Sequence, residues 1–554
     1  MVEIVTDTIN GALRALGIEP PERIEVEVPK DESLGDLSTP VAMSLAKVLK
    51  QPPRKIAADI LSKIDEARKN SYFESIEIAG PGFINFRLKG EFISKALWEV
   101  LSNGGKNLRK NIGRGARVQV EFVSANPTGP LHLGHGRGAA VGSALSNLLK
   151  AAGFDVTREF YINDAGRQVA LLGLSVFARY QELLGVECPF PEDGYRGDYI
   201  ADIAKEIISQ AGDKYKGAGF DSAGEFFKGF SRDMMLRQIE ADLAAFGVHF
   251  DIWQSEKELY GRGEVENTIQ YLRAKGHIYE KDKALWFRAT AFGDEKDRVI
   301  VKSDGQYTYF ASDIAYHKKK VDGGYAELIN LWGADHHGYI QRVKAAIEAL
   351  GYDRERLKVI LVQMVNLLRG GKPVQMSKRA GEFVTLREVM EEVGADTTKF
   401  IFLTRRSDSH LDFDLEVAKE SSAENPVFYV QYANARINSI FRHAAEKGMG
   451  MESIGGISPS VLGLLKEPEE VRIMKKLLMY PMVFEASALA REPHRITYYL
   501  QEIAGMFHPY YNRHRIVSET GPELTLARLA LVEAVRLVLR DGLEILGVTA
   551  PERM

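Results

Sequence analysis

A strand, a glycine-rich loop, a helix and a second strand follow one another in this chain, and they constrain its fold more than any other stretch. In "RVQVEFVSAN", which starts at Arg117, apolar and polar residues alternate as in a strand before the run turns apolar. The segment "PTGPLHLGHGRGAAVGSALSNLLKAAG" then reads as a loop and a helix, and "DVTREFYIN" as another strand. This order is typical of a βαβ unit and predicts an α/β fold around a parallel sheet.

The 554 residues correspond to three or four folding units at about 100–200 residues per domain. Residues 1–108 mix helical periods with strand-like runs such as "FESIEIAGPGFINFRL", which predicts a small α+β domain. Residues 109–414 hold the βαβ unit, a predicted hairpin with an Asp304-Gly305 turn and the strands in "AELINLWGADHHG" and "LKVILVQMVNLL". Within them, residues from about 175 to 265 predict a helical insertion. Residues 415–554 predict an all-α helical bundle.

Composition narrows the possible partners and compartments. The formal net charge of −4 gives no general attraction to nucleic acid, so an RNA partner requires local basic patches. The single cysteine, Cys188, excludes an intramolecular disulfide and a multi-cysteine zinc site, and it fits a reducing compartment. The first residues carry acids where a signal peptide has positive charge, and charges interrupt the apolar late segment "LARLALVEAVRLVLRDGLEIL". We therefore expect a soluble cytoplasmic protein without membrane contact.

His132 and His135 lie three residues apart at the start of the glycine-rich helix, on one of its faces. The free N–H groups and positive dipole end of a first helical turn favour a phosphate, and the same dipole favours neutral imidazole donors. The small residues that follow predict close approach of a sheet or a ligand. A capped turn with incidental histidines explains an isolated pair equally well. Zinc is disfavoured, because helical zinc pairs are usually spaced i, i+4 around a glutamate.

A second segment, "LLRGGKPVQMSKRAGEFVTL", lies in the other half of the predicted sheet. A buried strand ends there at Gly370, Lys378 and Arg379 follow, and Thr385 with Glu388 form a predicted capping box. For the Ser-Lys-Arg run alone, a solvated surface loop is the favoured interpretation. The pairing with the two histidines favours instead a basic loop that stabilises a leaving pyrophosphate.

Together these segments resemble the HIGH and KMSKS signatures of the class I aminoacyl-tRNA synthetases. The surrounding detail is similar to arginyl-tRNA synthetases, in "VEFVSANPTGPLHLGHGRGA", "YINDAGRQ", "YTYFASDIAYHKKK", "WGADHHGYIQR", "MVNLLRGGKPVQMSKRAG" and "RRSDSHLDFDL". The resemblance covers essentially the whole chain, including "YANARINSI" and the final "GVTAPERM". It departs from the pattern at Gln375, which replaces the first lysine of KMSKS and leaves Lys378.

The resemblance implies a Rossmann-like catalytic domain between an N-terminal tRNA-contacting domain and a C-terminal helical anticodon-binding domain. It implies ATP-dependent activation of L-arginine to arginyl-adenylate, and transfer to the 3′-terminal adenosine of tRNA(Arg). ATP is then a substrate with Mg²⁺, no cofactor is tightly bound and no zinc is expected. Catalysis is assigned to His132, His135 and Lys378, because positioned donors stabilise the charge that develops on phosphate oxygens. We expect a monomer.

The implied ATP contacts are Pro130, Gly134, Gly136, Gly333, Asp335, His337, Met364, Val365, Met376, Ser377, Lys378 and Arg379. The implied arginine contacts include acceptors for the five donors of a guanidinium, and they are Glu121, Ser124, Asn126, His135, Tyr309, Asp313 and His337. Tyr309 and Asp313 share a face only if a helix begins there, and hairpin packing is the alternative. The adjacent histidines of "GADHHG" can equally be packing residues.

The implied tRNA contacts are Phe83, Asn85, Tyr432, Asn434, Arg436, Tyr511 and Arg513. An exposed aromatic beside an amide suits base recognition, although Phe83 and Asn85 are equally compatible with strand packing. Arg436 lies near an apolar stripe and can brace helices instead. Two other functions share parts of this pattern. A small-molecule nucleotidyltransferase shares an HxGH site but is shorter and lacks a helical RNA-binding end, and a non-catalytic RNA-binding relative does not need both histidines and Lys378.

Overall fold

The N-terminal part of the chain folds around a small antiparallel sheet in the computed structural model, which describes residues 1–374, 384–518 and 521–554. Its strands are β1 (Leu37–Thr39), β2 (Phe73–Ala79) and β3 (Phe83–Leu88), in the order β1-β3-β2. Its helices are α1 (Val2–Ala15), α2 (Val41–Leu49), α3 (Pro53–Ser62), α4 (Glu66–Tyr72) and α5 (Gly90–Ser102). The predicted mix of helices with a strand hairpin is confirmed.

The middle of the chain contains most of the strands. They are β4 (Arg117–Glu121), β5 (Asp155–Ile162), β6 (Ile252–Ser255), β7 (Ile278–Lys281), β8 (Ala284–Phe287), β9 (Arg298–Val301), β10 (Glu327–Gly333), β11 (Leu357–Val362), β12 (Val365–Arg369), β13 (Lys372–Pro373) and β14 (Leu411–Asp414). The helices are α6 (Leu133–Ala151), α7 (Arg167–Leu183), α8 (Asp198–Ala211), α9 (Phe220–Ala245), α10 (Glu256–Gly261), α11 (Glu264–Ala274), α12 (Tyr309–Asp322), α13 (Ile340–Ala349), α14 (Leu386–Val393), α15 (Ala395–Phe402) and α16 (Leu415–Lys419).

Five of these strands form a parallel sheet in the order β11-β10-β4-β5-β6. The chain moves outward from β4 to β5 and β6 on one side, and from β10 to β11 on the other. The strand order therefore reverses between β4 and β10, where Glu121 pairs with Asn330. In open α/β sheets, ligands bind outside the carboxyl ends of the strands at this reversal.

Two details of the predicted strand pattern are wrong, and one is confirmed. The region predicted as a helical insertion over 175–265 ends earlier, because β6 is the edge strand of the parallel sheet. By contrast, the predicted hairpin at Asp304-Gly305 is confirmed as a short one. The Lys302 N–H donates to the Gln306 carbonyl (2.8 Å), the Thr308 N–H donates to the Ile300 carbonyl (2.9 Å), and Val301 bridges Tyr307. The last predicted core strand is two strands, and β12 leaves the parallel sheet to pair with β13 and β14.

The packing of helix α6 explains why it contains small residues. A Cβ on Gly142 would lie 2.2 Å from the ring of Phe122, which follows β4, so glycine lets the helix sit directly on the sheet. A Cβ on Gly136 would lie 2.6 Å from Leu386 and 3.1 Å from Phe402. The predicted close approach is confirmed, and at both positions the neighbour is protein.

The C-terminal part is helical, as predicted. Its helices are α17 (Pro426–Glu446), α18 (Pro459–Leu462), α19 (Pro468–Leu478), α20 (Tyr480–Ala490), α21 (His494–Arg513) and α22 (Pro522–Leu546). Helix α22 packs on α6, and the Trp98 indole N–H donates to the Ile457 carbonyl (2.8 Å). One buried core joins residues of the N-terminal, middle and C-terminal parts of the chain, and separate smaller cores lie in the insertion and around α12. Within the described ranges, no helix is both long and apolar enough to cross a membrane.

Candidate active site

His132 and His135 stack at the N-terminus of α6, where His132 is the N-cap residue. Their ring centroids lie 3.7 Å apart and the ring planes are tilted by 21°. The Gly134 N–H donates to His132 Nδ1 (3.1 Å), and the His132 N–H donates to His135 Nδ1 (3.4 Å). Because both Nδ1 atoms accept, the proton of each neutral ring belongs on Nε2. A side chain on Gly134 would crowd the His132 ring, with its Cβ 3.0 Å from Cε1.

Both rings line a cavity of about 680 Å³. One wall is the loop that leads into α6, with Asn126, Thr128, Gly129 and Pro130. The opposite wall belongs to the insertion, with Gln168, Glu192, Asp193, Gly194, Tyr195, Arg196, Gly197 and Tyr199. The positive end of the α6 dipole borders this cavity, which is the electrostatic setting that a phosphate group favours. Gly136 is buried and does not line the cavity, so the structure accounts for it by packing and gives no support to its prediction as an ATP contact.

Four predicted ATP contacts lie outside the described residues, namely Met376, Ser377, Lys378 and Arg379. The segment that follows them returns to the histidines. Thr385 forms an antiparallel bridge with His132, and the Leu386 N–H donates to the Leu131 carbonyl (2.8 Å). Thr385 caps α14 reciprocally with Glu388, which confirms the predicted capping box. The two signature segments therefore meet in space at the described residues that adjoin them.

Glu121 ends β4 with a carboxylate that has partners on both oxygens. Lys320 Nζ donates to one oxygen (2.8 Å) and the Ser124 hydroxyl to the other (3.0 Å). Lys320 also donates to Asn330 (2.8 Å), whose amide contacts His317 Nε2 (3.1 Å). Burial alone would raise the pKa of Glu121, but the Lys320 ammonium outweighs burial and holds that pKa below its usual value. The charge of this predicted arginine ligand is thus compensated inside the protein.

Asp313 lies on the first turns of α12, which begins at Tyr309, so the predicted shared face of these two residues is confirmed. The Tyr339 hydroxyl donates a hydrogen bond to the Asp313 carboxylate. Burial nevertheless raises the pKa of Asp313 to about 7, and repulsion from Glu256 and Glu121 adds to the rise. This group of carboxylates is electrostatically incomplete without a cation.

Glu256 is a site residue that the sequence reasoning missed. It is the first residue of α10, directly after β6, and its side chain is buried. Ser312 donates to Glu256 Oε1 (2.8 Å), and the Tyr161 hydroxyl lies beside the same carboxylate and favours its ionised form. Burial raises the pKa of Glu256. A carboxylate at the carboxyl end of a parallel strand is a recognisable signal, but β6 itself was not predicted.

The other predicted arginine ligands border the same crevice. Tyr309 is 63% exposed at the start of α12, and its hydroxyl lies close to Gly166 of the "NDAG" turn. The Asn126 amide donates to Gln168 Oε1 (2.6 Å), which ties the loop after β4 to the insertion. Ser124 contacts Glu121 and is half-buried.

The remaining predicted ATP contacts follow β10 and β11. Gly333 ends β10, and Asp335 and His337 are exposed in the short 3-10 turn Ala334–Tyr339. Met364 is 57% exposed between β11 and β12, whereas Val365 is buried and offers a ligand only its main chain. In the described part of the chain, no group of three or more His, Cys, Asp or Glu side chains is arranged to hold a metal ion.

Arg137, two residues after the second histidine, is fully buried and was also missed. Its guanidinium donates to the carbonyls of Gln363 (2.9 Å), Ser409 (2.7 Å) and Arg406 (2.8 Å). Burial lowers the pKa of Arg137 to about 10. The side chain ties α6 to the segments that follow β11 and precede β14, and an arginine within a run of small residues was the available signal.

The predicted RNA residues of the N-terminal sheet are less exposed than expected. Asn85 is buried in the central strand of that sheet, and its Oδ1 accepts the Ser38 hydroxyl (2.6 Å). Phe83 is half-buried. The expectation of an exposed aromatic beside an accessible amide is therefore wrong, and Asn85 instead ties two strands together.

At the helical end, the Arg436 guanidinium lies between two aromatic rings, 4.5 Å from the Tyr432 centroid and 4.6 Å from the Tyr511 centroid. Arg436 thus braces α17 against α21, the alternative that the sequence left open. Asn434 is fully buried and donates to the Pro551 carbonyl (2.8 Å), which contradicts its prediction as an RNA contact. Arg513 is exposed and pairs with Glu469 (3.0 Å).

Comparison with known families covers nearly the entire chain. Residues 96–442 match the family described as "tRNA synthetases class I (R), catalytic domain". Residues 3–88 match "Arginyl tRNA synthetase N terminal domain", and residues 430–554 match "DALR anticodon binding domain". The chain belongs to the class I arginyl-tRNA synthetases. The resemblance found in the sequence is confirmed.

Individual relatives agree with this membership in the synthetase family. The arginine–tRNA ligase of Citrifermentans bemidjiense is 52% identical over 96% of this chain and 95% of its own length. That of Geobacillus thermodenitrificans is 48% identical over 100% of this chain and 99% of its own. The structure of Thermus thermophilus arginyl-tRNA synthetase superposes with a TM-score of 0.77 at 24% identity, covering 100% of both chains, which shows the shared fold.

Proposed function

We propose that the crevice at the carboxyl ends of β4 and β10 is where this synthetase activates L-arginine with ATP before transfer to tRNA. One juxtaposition carries the proposal. A stacked histidine pair at a helix N-terminus and a group of buried carboxylates border the same edge of one sheet. The histidine pair suits a triphosphate, and the carboxylates suit a guanidinium.

On the ATP side, His132 and His135 each donate from Nε2 to phosphate oxygens. The arginine carboxylate attacks the α-phosphate, pyrophosphate leaves, and negative charge grows on oxygens that these donors face. Donors whose tautomer is fixed by main-chain bonds need no reorganisation during the reaction. Mg²⁺ enters with ATP, since it is usually held through substrate phosphates.

On the arginine side, Asp313 and Glu256 bind the guanidinium. The side-chain partners of Glu256 are the uncharged hydroxyls of Ser312 and Tyr161, and a guanidinium presents five donors in a planar fork. Glu121, Ser124, Asn126 and Tyr309 complete the surroundings of the amino acid, with Glu121 held by Lys320. In this arrangement the bound arginine supplies the positive charge for the carboxylates, because no arginine or lysine among the described residues pairs with Glu256.

Lys378 belongs to the proposal although it lies outside the described residues. We assign it to the leaving pyrophosphate, with Arg379 beside it. The support is the bridge between Thr385 and His132, which joins the end of this segment to the phosphate side of the crevice. Gln375 at the first KMSKS position leaves Lys378 as the ammonium group of the motif.

Recognition of tRNA is proposed for both ends of the chain. The exposed edge of the Tyr432–Arg436–Tyr511 stack offers aromatic faces and a cation to unpaired bases. Phe83 and Arg513 are also proposed to contact tRNA. We propose domain boundaries near residues 108 and 414. The single cysteine supports a cytoplasmic protein, and we propose that it acts as a monomer. Size-exclusion chromatography with light scattering tests that state.

ATP–pyrophosphate exchange tests the function directly. We expect exchange with L-arginine in the presence of total tRNA, and none with citrulline, whose side chain is neutral. Asp313→Asn removes one carboxylate of the proposed pocket. Asp322→Asn in the same helix is the matched control, because Asp322 contacts Lys318 and Tyr352 and is not a residue of the proposed pocket. Exchange driven by another small acid would indicate a nucleotidyltransferase, and no exchange with any acid would indicate a non-catalytic RNA-binding relative.

A further inference from the structure

The loop between β4 and α6, residues 122–132, contains two non-glycine residues in the left-handed backbone region. Val123 has φ 69° and Ser124 has φ 41°. A β-branched residue such as Val123 is an outlier in this region, because its branched side chain crowds the backbone. Such conformations persist only where surrounding contacts over-determine them. The loop carries Ser124 and Asn126 toward the proposed arginine site and ends at His132, so its conformation matters for both substrates.

Hydrogen bonds to β4 and β5 fix the start of this loop. The Ser124 hydroxyl donates to Glu121 (3.0 Å) and accepts the Tyr161 N–H (3.2 Å). These bonds fix the loop where it leaves β4. They do not reach the stretch around residues 126–130 that forms one wall of the cavity.

The insertion holds that second stretch from the opposite side. The Tyr199 hydroxyl, at the start of α8, donates to the Thr128 carbonyl (2.9 Å). It also packs on Gly129, where an added Cβ would lie 3.1 Å from the hydroxyl oxygen. Gln168, at the start of α7, accepts from the Asn126 amide (2.6 Å). The main chain of the loop is therefore fixed by a side chain that is about seventy residues away in sequence.

The insertion is itself anchored next to the second signature segment. Asp242 of α9 is buried and forms an ion pair with Arg387 of α14, in which it accepts a hydrogen bond from Arg387 Nε (2.7 Å) and a terminal nitrogen lies 2.6 Å from the same oxygen. Helices α7, α8 and α9 pack on one another around their own core. Since α14 begins beside His132, the insertion bonds to the body on both sides of the phosphate site.

We propose that Tyr199 is a positioning residue for arginine activation, because its hydroxyl holds the second stretch of the loop, around residues 126–130, in the conformation that binds arginine and ATP. This inference rests on the function proposed above, and it adds a residue that acts through the loop main chain. Without the bond, the loop occupies the competent conformation for a smaller fraction of the time. Apparent affinity falls in proportion to that fraction, whereas saturating substrates restore the competent state. Loss of the hydroxyl therefore raises KM at nearly unchanged kcat.

Tyr199→Phe and a matched control, Tyr180→Phe, separate positioning from general stability. The buried Tyr180 hydroxyl donates to the Gly212 carbonyl (2.8 Å) and accepts the Tyr215 N–H (3.2 Å) within the insertion, so its loss removes at least as much hydrogen bonding as loss of the Tyr199 hydroxyl. We measure KM for arginine, KM for ATP and kcat in pyrophosphate exchange with tRNA, together with Tm. One hydrogen bond corresponds to about 2- to 10-fold in an equilibrium constant. Tyr199→Phe is expected to raise each KM by up to about 5-fold when the other substrate is held below saturation, while kcat with both substrates saturating stays within about twofold.

Tyr180→Phe is expected to lower Tm and to leave both KM values unchanged. The inference is overturned if Tyr199→Phe leaves KM unchanged, or if it lowers kcat alone, since the hydroxyl would then act in the transition state. An equal rise of KM in Tyr180→Phe also overturns it, because the effect would reflect loosening of the whole insertion. If the proposed function is wrong, the result is different: the unmodified protein shows no arginine-dependent exchange.

Discussion

Arginine binding should depend steeply on pH, because the Asp313 carboxylate must be ionised to accept a guanidinium. Burial raises its pKa to about 7 in the free protein, so the carboxyl is mostly protonated at pH 6 and mostly ionised at pH 8. If only the ionised form binds, the apparent Kd is multiplied by one plus the ratio of protonated to ionised carboxyl. That factor is about 11 at pH 6 and about 1.1 at pH 8, which predicts affinity about tenfold weaker at the lower pH, or roughly 1.4 kcal/mol.

Isothermal titration calorimetry of L-arginine into the protein between pH 6 and pH 8 measures this dependence without the confounding titration of catalytic steps. Asp313→Asn should bind weakly at every pH, because removing one partner of a buried charge pair costs about 2–5 kcal/mol. Glu256→Gln keeps Asp313 and should keep a sloping profile. A Kd that is flat between pH 6 and pH 8 in the unmodified protein would refute the reasoning, as would a slope that survives in Asp313→Asn.

Three further outcomes are expected. His132→Ala or His135→Ala should lower kcat for pyrophosphate exchange by about 10²–10³-fold, since each removes one donor to developing charge. KM for arginine should change little in His132→Ala, because of the two histidines only His135 is also an implied arginine contact. Gly142→Ala should destabilise the fold by about 1–3 kcal/mol in urea denaturation, because its Cβ would overlap Phe122, whereas Gly138→Ala in the same helix meets no atom within 4 Å and should not destabilise it. Arg436→Met should weaken tRNA binding in a mobility-shift assay and leave arginine affinity unchanged.

Sequence patterns predicted the parallel sheet and the histidine pair because both depend on local signals. Alternation in β4, the small residues of α6 and the spacing of His132 and His135 are all readable within about twenty residues. The sequence predicts that Tyr309 and Asp313 share a face only if a helix begins at Tyr309, and α12 does begin there. The capping box at Thr385 was likewise predicted from residues three apart.

Long-range pairing could not be predicted in the same way. The four-residue strand β6 has no distinctive alternation, and only its partner β5 makes it part of the sheet, so Glu256 was missed with it. Asn85 and Asn434 read as polar and accessible, but Ser38 and Pro551 bury them from distant parts of the chain. In a sequence, a polar residue that forms a hydrogen bond with a distant part of the same chain cannot be distinguished from one that contacts a ligand.

The contact between Gly136 and Leu386 has a consequence for the biosynthesis of the protein. These residues are 250 positions apart, and Leu386 also bonds the main chain just before His132. At about 5–20 residues per second, a ribosome needs roughly 12–50 seconds to make the intervening chain. During that interval the nascent βαβ unit exposes the flank of α6 that Leu386 later covers. The cavity that His132 and His135 line therefore matures only after most of the polypeptide has emerged, and truncated translation products that stop before α14 should be inactive.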